Sequence, residues 1–160
     1  SRDDLLGQVD RGFYHLMEGL AQERLSVSVM AVACCETILE ETTTYVRERQ
    51  AFGGRLADLQ HIRMTLATLT TQTDIARVYV DRCIEEHNAG QLSAFDAAKA
   101  KWWTTELQRR VADECLQLHG GYGYMAETSI SRAWRDGRIQ TVYAGSTETL
   151  KDYIGRQLTS

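Results

Sequence analysis

Four stretches of this 160-residue chain hold residue types that bring backbone or charge up to a ligand. Gln117-Leu118-His119-Gly120-Gly121-Tyr122-Gly123 carries three glycines in four positions, more than a helix stop requires. A lone Gly-Gly-x-Gly is unspecific, because such loops bind many phosphates or nothing. Tyr143-Ala144-Gly145-Ser146-Thr147-Glu148 joins a glycine turn to a hydroxyl cap, so a helix N-terminus can face an electron-rich group. Arg47-Glu48-Arg49-Gln50-Ala51-Phe52-Gly53 puts cations at the negative pole of a helix, just ahead of a glycine. In Leu20-Ala21-Gln22-Glu23-Arg24-Leu25 a carboxylate sits at a helix start, where it complements the dipole and is readily solvated. The default reading of its neighbour Arg24 is an ion pair.

Positioning these segments falls to helices. Leu25, Val29, Val32, Leu39 and Val46 recur at spacings of four, three and seven, so the pattern predicts one amphipathic helix from about Ala21 to Arg49. Gly53-Gly54 breaks it. Asp58 is the expected cap of a second helix, in which Leu59, Ile62, Leu66, Leu69, Thr73, Ala76, Val80 and Cys83 form a seam, and Asn88-Ala89-Gly90 supplies the stop. Ser93 followed by Asp96 resembles a capping box for a third helix, whose stripe reads Ala100, Trp103, Leu107, Val111, Cys115 and Leu118. A short helix near Ser129–Asp136 ends at Gly137, and a last one begins after Ser146. The predicted fold is all-α: an up-and-down bundle of three long helices plus shorter C-terminal ones. Residues 1–20 read as a lead-in from a preceding domain with a short helix from Asp10, and 21–160 as the bundle.

Composition supports this and removes several classes. Proline is absent and 43% of residues are apolar, which suits long helices around a real core. The net charge of −4 is spread along the chain, so nucleic acid and membrane are not expected partners. There is neither a run of about 18 apolar residues nor a signal peptide. Cys34, Cys35, Cys83 and Cys115 lack zinc-type spacing and read as buried free thiols, and the four histidines form no ligand set, so no metal is expected. Trp102, Trp103, Trp134 and the tyrosines read as core or interface. Arginine outnumbers lysine 15 to 3, an association with GC-rich bacterial genomes, so the expected location is bacterial cytoplasm, with mitochondrial matrix as the alternative.

Taken in order, these motifs resemble the C-terminal helical domain of the flavin-dependent acyl-CoA dehydrogenases, over about Leu5 to Gln157. In most of that family the Ala144 position holds the glutamate that takes the substrate proton. Long-chain and isovaleryl branches carry a small residue there and move the base to a Glu-Arg-Leu context, which Glu23-Arg24-Leu25 matches. The resemblance therefore implies Glu23 as catalytic base, with Arg24, Tyr143, Ala144 and Gly145 at the substrate. It implies FAD as cofactor. Arg49 and Phe52 match an Arg-x-x-Phe-Gly motif that reaches the pyrophosphate of a neighbouring subunit's FAD, and Gln60 lies near the adenosine half. Gln117, Gly120 and Gly121 are implied to lie against FAD across the subunit boundary, with Ser146 and Glu148 as further contacts. It also implies an acyl-CoA substrate, electron-transfer flavoprotein as oxidant, and a homo-oligomer, tetramer or dimer.

Three alternatives stay open at this point: an oxidase or monooxygenase of the same fold, a partner subunit that has lost its base, and a free-standing interaction bundle. Because the resemblance covers the last of three family domains, the sequence reads as the C-terminal part of a longer enzyme, inactive alone.

Overall fold

The structure, a computed structural model, describes residues 4–160. Residues 1–3 of the expected lead-in lie outside the described residues. Three long helices dominate: α1 (Gly12–Glu48), α2 (Gln60–Asn88) and α3 (Ala94–His119). Two shorter ones follow, α4 (Ser129–Gly137) and α5 (Thr147–Thr159). The chain runs up, down and up, so α1 and α3 are parallel and share the largest interface, with α2 packed antiparallel against both. The all-α bundle expected from the sequence is the fold.

The periodic positions form the core. Val32, Leu69, Val80, Val111 and Cys115 are fully buried where the three helices meet. Burying each aliphatic side chain contributes about 1.5–3 kcal/mol, which is what holds these helices in register. A smaller cluster of Val46, Leu56 and Ile62 closes one end of the bundle, under the connection from α1 to α2. Cys34, Cys35, Cys83 and Cys115 are free thiols; the last three are buried, and burial raises the Cys115 thiol to about 11.

Punctuation follows the sequence at most ends. Ser93 Oγ accepts from the Asp96 amide at 3.0 Å and starts α3, and Gly90 turns left-handed after α2. Thr128 and Ser146 cap α4 and α5 in the same way.

Three expectations are corrected. The first helix begins at Gly12, so the predicted short helix from Asp10 and the long one from Ala21 are a single element. Gly12 and Gly19 are each worth about 1 kcal/mol against a helix, too little to stop one of this length. Asp58 does not cap α2: its carboxylate accepts from the Arg55 amide and guanidinium at 2.9–3.2 Å, and α2 starts at Gln60 behind Leu59 with no side-chain cap. On α3, Trp103 is 43% exposed, while Lys101, two positions earlier, is buried.

Candidate functional site

At one end of the parallel pair, the C-terminal turns of α1 and α3 are locked together. The Tyr45 hydroxyl donates to the His119 carbonyl at 3.3 Å, and its ring stacks on the His119 imidazole with centroids 4.1 Å apart. His119 Nε2 lies 3.2 Å from Thr42 Oγ1. Burial lowers the imidazole pKa below its ordinary value, which favours the neutral ring.

Beyond Glu48 the chain forms a hairpin, β1 (Gln50–Ala51) paired antiparallel with β2 (Gly54–Arg55). Its two turn residues, Phe52 and Gly53, both have positive φ (54° and 82°), the signature of a tight hairpin turn. Phe52 is a bulky side chain in a left-handed conformation that costs about 1 kcal/mol or more, and its ring is 88% exposed. A strained aromatic held out in solvent is a feature the fold itself does not require.

Between this hairpin and the 117–121 segment lies a groove of about 680 Å³, lined among others by Arg49, Phe52, Ile62, Gln117, Gly120 and Gly121. The guanidinium of Arg49 lies over the Tyr122 ring, 5.4 Å from its centroid, and makes no ion pair among the described residues. The three glycines of the loop do different work. Gly120 ends α3 with φ 61°. A Cβ on Gly123 would stand 2.6 Å from the Leu116 carbonyl oxygen, so that glycine is a packing requirement. Gly121 has neither constraint: its φ is ordinary, and a Cβ would meet nothing within 4 Å. It opens onto the groove.

The second cluster forms at the other end of the same helix pair, about 30 Å away from Arg24 to Tyr45 by the rise of an α-helix. Ala144 and Gly145 are consecutive left-handed residues, φ 53° and 97°. Their carbonyls are taken by two cations: Arg24 Nε donates to the Ala144 oxygen at 3.3 Å, and Lys101 Nζ to the Gly145 oxygen at 2.7 Å. The φ of Gly145 favours glycine, and a Cβ there would also crowd Leu150 Cδ2 at 3.0 Å. Ser146 then caps α5, accepting from the Thr149 amide at 3.3 Å. Glu148 lies in the first turn, and the backbone and Ser146 hydroxyl hold its carboxyl below the usual range. Burial pushes the Arg24 guanidinium down, against the opposing influence of Tyr153 and then of its neighbour Glu23. Glu23 is exposed, and no hydrogen bond or ion pair engages it among the described residues.

The residues singled out in the sequence thus fall into two groups. Arg49, Phe52, Gln117, Gly120 and Gly121 meet at the groove, with Gln60 exposed at the start of α2, beside but not in its lining. Arg24, Tyr143, Ala144 and Gly145 meet at the other end, flanked by Glu23, Ser146 and Glu148. Sequence reasoning missed Lys101, His119's link to Tyr45, and Leu56 and Ile62 in the groove wall. A polar residue on the buried side of α3 was the available signal for Lys101.

The geometry is that of an all-α bundle with a glycine-walled groove at one pole and a clamped left-handed turn at the other. Residues 10–159 match the family described as acyl-CoA dehydrogenase, C-terminal domain, and the chain belongs to that family. It is 45% identical over 156 residues to the mitochondrial long-chain specific acyl-CoA dehydrogenase of Rattus norvegicus, covering 98% of this chain and 36% of that protein. Among solved structures it is similar to an acyl-CoA dehydrogenase from Geobacillus kaustophilus, with TM-score 0.95, 46% identity, and coverage of 98% of this chain and 41% of that one. It is also similar to butyryl-CoA dehydrogenase from Megasphaera elsdenii, with TM-score 0.94 and 31% identity over 100% of this chain and 42% of that one. The chain therefore spans little more than a third of the curated relatives it matches.

Among the described residues, no helix is long and apolar enough to cross a membrane.

Proposed function

We propose that this chain supplies the helical half of the active site in a flavin enzyme that dehydrogenates acyl-CoA thioesters between the α and β carbons, with Glu23 as the base. One observation carries the reading. The turn at Ala144, which has no carboxylate of its own, is tied through Arg24 to the very turn of α1 that presents Glu23, which no hydrogen bond engages among the described residues.

The groove fits the diphosphate and ring system of FAD. Arg49 offers a guanidinium fork free of carboxylates, Gly121 lets the backbone approach a phosphate, and Leu56, Ile62 and Phe52 give an apolar wall. When bound, the flavin supplies the acceptor for the hydride that leaves the β carbon.

The chain's own residues do the rest. Glu23 takes the α proton into its carboxylate, and for that its proton affinity must rise once substrate excludes water. The positive end of α5, opened by Ser146, faces the electron-rich thioester. Arg24 and Tyr143 line the approach. Ala144 leaves room for a long or branched acyl chain, a reading supported by the likeness to a long-chain specific relative.

The separation of about 30 Å between the clusters places the groove and Glu23 of one copy too far apart to share a single cofactor. That separation supports a homo-oligomer in which each groove serves a neighbour's base, with electron-transfer flavoprotein as the oxidant implied by the family.

The test is an anaerobic titration of the flavin-loaded full-length enzyme with a long-chain acyl-CoA, following the visible flavin band, for wild type and Glu23→Gln. Bleaching in the wild type that disappears in the variant is the expected result. Bleaching in both would remove Glu23 from the role of base. Bleaching in neither, across several acyl chains, would overturn dehydrogenation itself.

A further inference from the structure

Lys101 is the least expected side chain in the molecule. It is 0% exposed, and among the described residues no carboxylate pairs with it within salt-bridge distance. A buried ammonium is strongly disfavoured unless something in the fold needs it, and a neutral donor would satisfy a lone carbonyl. Among the described residues its one hydrogen-bond acceptor is the Gly145 oxygen, at 2.7 Å. The groups facing it come from every packed element: Arg24 from α1, the Tyr143 ring at 6.0 Å, Glu106 on α3 itself and Glu148 on α5. Glu106 is already engaged, accepting from the Thr147 hydroxyl at 2.8 Å and from Arg109 at 3.2 Å.

We infer that Lys101 is a positioning residue for the active-site turn: with Arg24 it clamps the carbonyls of the left-handed Ala144–Gly145 pair, and so sets where α5 begins relative to Glu23. This rests on the dehydrogenase reading above. Neither carbonyl lies in a helix or strand, and both turn residues are in a conformation that side chains other than glycine rarely adopt. Two charged donors on successive carbonyls hold that conformation more firmly than neutral ones would. Remove one, and the turn is left with a single tether at 3.3 Å. Because a displacement of about 1 Å can cost on the order of 100-fold in rate, a loosened turn shows first in turnover.

The clamp has a pH signature. Burial, and then the charge on Arg24, push the Lys101 ammonium down to about 8 from its ordinary value of 10.5. Between those two values the unfolded chain holds the proton and the folded chain has released it. Protein stability therefore rises with pH through that window on account of this group. Turnover falls through the same window, because the neutral amine is the weaker donor. A lysine with a purely structural role would move stability alone.

The experiment compares the flavin-loaded full-length enzyme with Lys101→Met, which keeps the apolar stem and loses the donor. It records kcat, KM and thermal stability from pH 6 to 10, and follows the Nζ resonance in lysine-labelled protein by NMR. The expected wild-type result is a fall in kcat whose midpoint coincides with the Nζ titration near pH 8. Lys101→Met is expected to lose about 10- to 100-fold in kcat at pH 7, with a smaller change in KM, and to lack that limb.

A variant with wild-type kcat and an unchanged alkaline limb would overturn the inference. Should the variant not fold, the wild-type comparison decides alone: Nζ titrating near pH 8 with flat turnover across it would equally overturn it. Glu23→Gln separates the two proposals. Wild-type kcat in Lys101→Met, with bleaching still lost in Glu23→Gln, removes only the role of Lys101, whereas bleaching that survives Glu23→Gln removes the reading on which it rests.

Discussion

Arg24 Nε reaches the Ala144 carbonyl at 3.3 Å, a bond between residues 120 positions apart. It fixes the rotation of α1 about its own axis relative to the turn before α5, because an arginine at any other position on that helical turn would point elsewhere. Glu23, the preceding residue, is carried into place by the same bond. Arg24→Lys keeps the charge and loses the planar fork that aims Nε at the carbonyl. The expected outcome is about a tenfold loss in kcat/KM, near 1.4 kcal/mol, read by steady-state kinetics of the flavin-loaded enzyme. Full activity in Arg24→Lys would show that charge alone suffices.

Two neighbouring glycines give opposite expectations. Gly123→Ala forces a Cβ to within 2.6 Å of the Leu116 carbonyl oxygen, a backbone atom that cannot swing away. It should destabilise the bundle by about 1–3 kcal/mol, seen as a lowered melting temperature. Gly121→Ala meets no atom within 4 Å, so the fold should tolerate it, while flavin affinity drops because the added methyl projects into the approach to the groove. Calorimetry and flavin titration on the two variants give a double dissociation. Equal behaviour in both assays would contradict the assignment of Gly121 to the ligand.

Acid stability should show the Glu36–Arg77 pair that ties α1 to α2. Arg77 donates Nε and Nη2 to the two carboxylate oxygens at 2.8 and 2.6 Å, and this bonding is the main reason the Glu36 carboxyl sits below its ordinary value. A carboxyl whose folded pKa is depressed contributes stability above its unfolded pKa, about 4.5, and loses it as pH falls through the folded value. Both side chains are partly exposed, so solvent screening limits the contribution to about 1 kcal/mol or less. Glu36→Gln should therefore lower the melting temperature slightly at pH 7 and by less at pH 3. An equal drop at both would assign the effect to packing.

How far the sequence went can be judged at particular residues. The long seams were legible because burial repeats every three or four positions, and Val32, Val80 and Val111 sit where that spacing put them. Ser93 and Ser146 were legible because a hydroxyl before an apolar run has few other uses. Asp58 misled because Arg55, three residues earlier, is the stronger partner, and sequence spacing does not rank competing acceptors. Trp103 misled because apolarity was taken for burial. Lys101 stayed hidden for the converse reason: its buried environment is assembled from Arg24, Tyr143 and Gly145, three segments far apart in the chain. The motif glycines drew notice together, yet only the folded geometry separates Gly123, which packing demands, from Gly121, which it does not.

The parallel course of α1 and α3 has a genetic consequence. Each copy carries its groove at one pole and the proposed base, Glu23, at the other, so a lesion at one pole leaves the opposite pole sound. Chains disabled at Arg49 and chains disabled at Glu23 should each be inert by themselves, yet restore part of the activity when they co-assemble. In the proposed homo-oligomer, mixed assemblies would contain some sites built from the intact end of each. A chain carrying both lesions on one polypeptide gains no such rescue from either single variant, and inheritance of two different defects would be milder than inheritance of two identical ones.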